Sequence, residues 1–200
     1  MTLATVSNHI AVYLDKNLAT NQDNSEIYAY GLEILLGAVI KLSIVFLLGW
    51  IFNVFGLTLI VLVTYAAFRC FGGGAHMSTY LKCLLLGTTV VVGMGLLSQF
   101  NLATHLLAYI ATFALVFALF VCYKWVPGDT EKKPISDREV RNRQKRKMAI
   151  IIAVWGLIIL YLLHHSLNTY ALAMILGSIS SVFLIAPWGY SLLTTIDKWT

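Results

Sequence analysis

The stretch Arg69-Cys70-Phe71-Gly72-Gly73-Gly74-Ala75-His76-Met77-Ser78-Thr79-Tyr80-Leu81-Lys82-Cys83 holds the side chains in this sequence best suited to covalent chemistry. A thiol becomes a strong nucleophile once ionised, and an imidazole can take its proton. Cys83 as nucleophile and His76 as base would form such a pair. On one continuous helix the two would stand about 10 Å apart along the axis, too far for a hydrogen bond. The pair therefore requires a bend. Three consecutive glycines permit one, and Ser78-Thr79 offers an N-cap for a helix that starts afterwards. His76 would then come from the loop and fold back onto the turn that carries Cys83. Backbone N–H groups at the helix start would face a developing oxyanion, and Lys82 would help ionise the thiol. Ser78 and Glu33 are candidates to orient the imidazole. The same residues also fit a plainer arrangement, a buried cysteine and an interfacial histidine.

Other reactive types carry less. Cys70 and Cys122 read as structural thiols, and three cysteines without paired spacing make no disulfide framework. His164 and His165 are adjacent and point apart on a helix. Neither a zinc-type nor a glycine–phosphate motif is present, so no metal and no cofactor are expected.

The elements that must position these groups are membrane helices. The 200 residues are 59% hydrophobic and 12% charged, against about 25% charged in a soluble domain. Long uncharged runs without strand alternation predict an all-α polytopic membrane protein, a single integral-membrane domain over residues 1–200. Leu3, Val6, Ile10, Tyr13, Leu14 and Leu18 recur at helical steps, which predicts an amphipathic interfacial helix over 1–20 rather than a signal peptide. Six spans follow, at 27–52, 54–68, 79–98, 104–123, 148–163 and 170–186. The second is brief and either crosses with Arg69 snorkelling or is re-entrant; crossing is the expectation. Pro187-Trp188-Gly189-Tyr190 reads as an aromatic interfacial stop before a short tail. Lys41 lies mid-span, where a charge costs about 2.5–3.5 kcal/mol, so it should face the bundle interior, either snorkelling to a structural partner or serving the site.

Charge sets the orientation. Residues 124–147 hold nine Lys/Arg and four Asp/Glu, a net of +5 that equals the net charge of the whole chain. The basicity is one loop, helical from about Ser136, and points to topology rather than nucleic acid. Six crossings put both termini, Arg69, Lys82 and this loop in the cytoplasm, while the three opposite turns contain no Lys or Arg.

Arg69, Gly73-Gly74 and the His76…Cys83 spacing, with the later run Pro127-Gly128-Asp129-Thr130-Glu131-Lys132-Lys133-Pro134-Ile135, resemble the accessory gene regulator protein B (AgrB) family. The resemblance implies a quorum-sensing endopeptidase of the bacterial cytoplasmic membrane. It implies Cys83 as nucleophile and His76 as base, with Arg69 and Gly74 at positions important for activity. The implied partner is a short precursor peptide, AgrD-like, cut on the C-terminal side of its future thiolactone or lactone ring, and homodimers are plausible. Arg141, Arg143, Lys145 and Arg146 in the basic loop would draw in an acidic peptide tail through their field; the loop could equally serve only to fix topology. The rival expectation is a small peptide exporter without proteolysis, its polar path marked by Glu33 and Lys41.

Overall fold

The computed structural model describes residues 3–18, 25–75, 77–128 and 137–199. Its elements are eight helices: α1 (Leu3–Leu18), α2 (Ser25–Ile51), α3 (Phe55–Gly72), α4 (Tyr80–Leu97), α5 (Thr104–Trp125), α6 (Arg138–His164), α7 (Asn168–Phe183) and α8 (Pro187–Trp199). The chain is an all-α, multi-pass membrane protein. Five helices, α2 to α6, are long and apolar enough to cross a bilayer, and α7 with α8 makes a sixth if that bent pair is one span.

The chain divides into two compact units, residues 1–45 and 46–200. In the first, α1 buries Ser7 and Ala11, one turn apart, and leaves Ile10 and Tyr13 exposed. The small residues thus take the protein-facing side, and the larger apolar ones are left for lipid. Lys41, on α2, is half-buried.

In the second unit α7 is the hub, packing on α3 most extensively and also on α4, α5 and α6. Lipid is as apolar as leucine, so helices here associate through close backbone approach rather than exclusion from water. The residues α7 buries fit that: Ala171, Ala173, Gly177, Ser178 and Ser181 are mostly one or two atoms long. A Cβ on Gly177 would lie 2.9 Å from the Val61 carbonyl of α3. Gly95 of α4 seats against Thr58 of α3 in the same way. Larger side chains fill the space between α5, α6 and α7, where Phe68 meets Trp155 edge-on with centroids 6.1 Å apart. The outer face of α5, with Tyr109, Phe113, Val116 and Tyr123, stays exposed for the acyl chains.

Two boundaries differ from the sequence expectation, and a third agrees with it. Helix α3 continues through Arg69 to Gly72; at 1.5 Å per residue its 18 residues reach about 27 Å, close to the hydrocarbon thickness. The basic loop is helical from Arg138, capped by the Asp137 carboxylate accepting from the Glu139 N–H at 2.8 Å. The tail beyond Pro187 is not irregular but forms α8, bent 79° from α7. Proline suits a first helical position because no N–H is needed there.

One end of the second unit gathers aromatics and cations. Trp188 contacts Trp125 and Phe117 with centroids 5.2 and 6.3 Å apart, and the Lys124 ammonium lies over the Phe120 and Trp125 rings. An interfacial belt has this composition. At the other end Asn168 donates to the Leu102 carbonyl and accepts from Thr104, tying the starts of α5 and α7.

Candidate active site

Helix α3 stops because its next residues leave helical space. Gly73 has φ +73° and Gly74 φ +120°, a region that side-chain-bearing residues rarely enter. Three separate segments hold this turn. The Gly128 N–H donates to the Gly72 carbonyl at 2.7 Å, the Ala75 N–H donates to the Leu184 carbonyl at 3.1 Å, and Arg69 donates through Nη2 to the Ala75 carbonyl. The approach is close enough that a Cβ on Gly73 would lie 2.8 Å from the Gly128 oxygen. Gly74 packs directly beneath the Arg69 guanidinium, so any side chain there would collide with it.

The Nη1 atom of Arg69 is buried and has no hydrogen-bond partner among the described residues. A buried donor without an acceptor costs about 1–3 kcal/mol, so its position is a candidate place for an incoming oxygen.

His76 lies outside the described residues, and its side chain is not described. The chain is defined again at Met77, and Thr79 caps α4, its hydroxyl accepting from the Lys82 N–H at 3.4 Å. Cys83 follows as the fourth residue of α4 and is a half-buried free thiol. Tyr65 of α3 is in electrostatic reach of both Arg69 and Cys83. It also packs with Met77 and Leu86 against a small cluster of Ala75, Leu184 and Leu193. The glycine turn, the start of α4 and the α7–α8 break therefore form one neighbourhood around an apolar floor.

Two of the expected supporting residues meet a partner on α8. Lys82 is committed elsewhere: its Nζ lies 3.2 Å from the Asp197 carboxylate and donates to the Asp197 carbonyl at 2.8 Å. Ser78 likewise turns to Asp197, donating its hydroxyl at 2.8 Å and its N–H at 3.2 Å. At the start of α4 the Cys83 N–H donates to the Thr79 carbonyl at 3.1 Å. Of the buried side-chain donors near the turn among the described residues, it is Arg69 Nη1 that is left unmatched. Asp197 went unnoticed in the sequence because a single carboxylate in a C-terminal tail announces no partner. Its one signal is Leu193, four residues earlier and on the same helical face.

The four basic-loop cations, all on α6, meet different surroundings. Arg143 pairs with Glu139 at 3.5 Å, Lys145 donates to the Tyr123 carbonyl at 2.6 Å, and Arg146 is exposed. Arg141 lines a cavity of about 390 Å³ with Lys124, Trp125, Gly128 and Tyr190. Gly128 joins this cavity to the glycine turn. Cys70 is exposed, Cys122 is buried, and no cluster suited to a metal ion occurs among the described residues.

A family model described as accessory gene regulator B matches residues 7–185. A putative AgrB-like protein of Clostridium perfringens strain SM101 is 29% identical over 98% of this chain and 96% of its own length. Putative AgrB-like protein 2 of C. perfringens strain 13 is 30% identical over the same shares. Accessory gene regulator protein B of Staphylococcus aureus strain MRSA252 is 30% identical over 72% of this chain and 74% of its own. No solved structure matches the chain.

Proposed function

This chain belongs to the accessory gene regulator B family, a component of agr quorum sensing, and on that premise we propose that it is a membrane cysteine endopeptidase that cleaves an AgrD-like pheromone precursor and closes its ring. The observation that carries the reading is the end of α3 at Gly72 and the start of α4 at Tyr80. The helix that carries Cys83 begins only at Tyr80, so the axial separation of about 10 Å that one continuous helix would impose is no obstacle to the pair.

His76 accepts the Cys83 proton, and the thiolate attacks the scissile carbonyl carbon. The oxygen that gains charge takes a hydrogen bond from Arg69 Nη1, the buried donor that lacks an acceptor. Collapse breaks the C–N bond, His76 returns the proton to the departing amine, and the acyl group stays on Cys83 as a thioester. A thiol or hydroxyl within the peptide then attacks that thioester. Its proton passes to His76, Cys83 leaves as thiolate, and the ring closes. Exchange of one thioester for another is nearly neutral in energy, so no energy-supplying cofactor is needed. The apolar floor around Ala75 and Leu193 limits competition by water. Gly74 serves by letting the guanidinium lie flat on the turn. Lys124 and Arg141 line the cavity beside Gly128, and their charge would attract an acidic precursor tail.

The test is the mass of the precursor after co-expression with the chain. Cleavage with wild type, its loss in Cys83→Ala and His76→Ala, and a covalent adduct on Cys83 are expected. Intact cleavage in Cys83→Ala would overturn the reading, and export of uncut precursor would favour a transporter.

A further inference from the structure

The segment that carries the candidate catalytic pair is held from outside by the last helix. Asp197 reaches across from α8 and engages two residues of this segment at once: Ser78, through hydroxyl and amide at 2.8 and 3.2 Å, and Lys82, at 3.2 Å. Ser78 lies two residues after His76, and Lys82 immediately before Cys83. One carboxylate thus spans the interval in which the chain must turn from the imidazole to the thiol.

The electrostatics favour this geometry at both helix ends. An anion is stabilised beside a helix N-terminus, where Asp197 sits against α4, and a cation beside a helix C-terminus. The Lys82 ammonium meets the last turn of α8 through the Asp197 carbonyl at 2.8 Å. A lysine in the first turn of α4 opposes that helix's own dipole, and the Asp197 carboxylate offsets it. Leu193, one turn earlier on the same face of α8, is buried with Ala75 and Leu184, so α8 has an apolar anchor beneath the polar contact. The lowered pKa of Asp197, owed first to the Ser78 hydroxyl and then to Lys82, agrees with a carboxylate used as a fixed acceptor.

We infer that Asp197 is a positioning residue: by tying Ser78 and Lys82 to α8, it fixes the path between His76 and Cys83 and so sets the alignment of imidazole and thiol. This rests on the endopeptidase reading above. Asp197 itself touches no reacting atom, and Lys82 acts as half of the tie rather than as an activator of the thiol.

The experiment measures alkylation of Cys83 by iodoacetamide against pH, in the full chain in lipid vesicles, with Cys70→Ser and Cys122→Ser removing the other thiols. The reference is His76→Ala, which should abolish the limb of the profile near neutral pH. Asp197→Ala is expected to lose the same limb, with alkylation at pH 7 about tenfold slower. Ser78→Ala, which leaves α8 intact, should move the profile in the same direction, and the double variant should add little to Asp197→Ala because the two act through one contact. A residue that merely stabilises the fold would lower the yield of protein in the membrane without moving the profile. If His76→Ala shifts the profile while Asp197→Ala and Ser78→Ala both keep the wild-type curve, the positioning role is wrong and the dyad stands. If His76→Ala itself leaves the curve unchanged, the dyad falls and the inference falls with it. Should Asp197→Ala fail to reach the membrane, Ser78→Ala alone decides.

Discussion

At the scale of single residues, the glycine turn and the arginine above it form one device. Gly74 has φ +120° and a guanidinium packed where a Cβ would go. Gly74→Ala combines backbone strain of about 1–3 kcal/mol with displacement of that guanidinium. The expected outcome is a chain that still inserts but cleaves precursor poorly, read as protein level against product mass on the same samples. Arg69→Lys keeps the charge and loses the planar fork that reaches Ala75 and leaves Nη1 inward. If Nη1 serves the oxyanion, kcat should fall about 10²–10³-fold, the effect of removing one such donor, with little change in KM. A rise in KM alone would instead make Arg69 a binding residue.

At the scale of elements, hydropathy made the long apolar helices legible, and local chemistry the turn between α3 and α4. Gly72-Gly73-Gly74 followed by Ser78-Thr79 reads directly as a stop and a cap, and Thr79 is the cap. What stayed hidden depends on contacts between distant parts of the chain. Nothing in Gly128 shows that it will donate to Gly72, and nothing in Leu184 that its carbonyl will receive Ala75. Lys82 looked available to the thiol because its partner lies 115 residues away. The α8 tie also has a pH signature. Donation from Ser78, and then Lys82, holds the Asp197 carboxyl below its ordinary value of 3.8. A group depressed in this way contributes stability above its unfolded pKa and loses it as the pH falls through the native one. Amide protection in α8, corrected for intrinsic exchange, should therefore be flat from neutral pH down to that value and drop only below it. A drop beginning near pH 6 would mean that another group controls the tie.

For the whole molecule, the distribution of charge and of contacts points one way. Arg69, Lys82, Lys124, Arg141 and Lys145 belong to the end of the second unit that holds the glycine turn, and the Asn168–Leu102 tie marks the opposite end. By the excess of Lys and Arg at the glycine-turn end, we propose that the basic loop and both termini are cytoplasmic. A cysteine placed at Asn101 should react with an impermeant maleimide on intact cells. One at Lys198 should react only after permeabilisation. The reverse pattern would invert the topology. The same arrangement predicts that Lys124→Glu with Arg141→Glu raises KM for a precursor with an acidic tail, more so at low salt, and leaves the intramolecular ring-closing step unaffected.

The turn that ends α3 leans on Gly128 and on Leu184, and the start of α4 leans on Asp197. A ribosome delivers these supports late, long after position 83 has entered the bilayer. A nascent chain halted before residue 184 would have its sulfur in place but no scaffold around it, and should leave precursor whole. Proteolytic competence would then arrive with α8 rather than with the thiol itself.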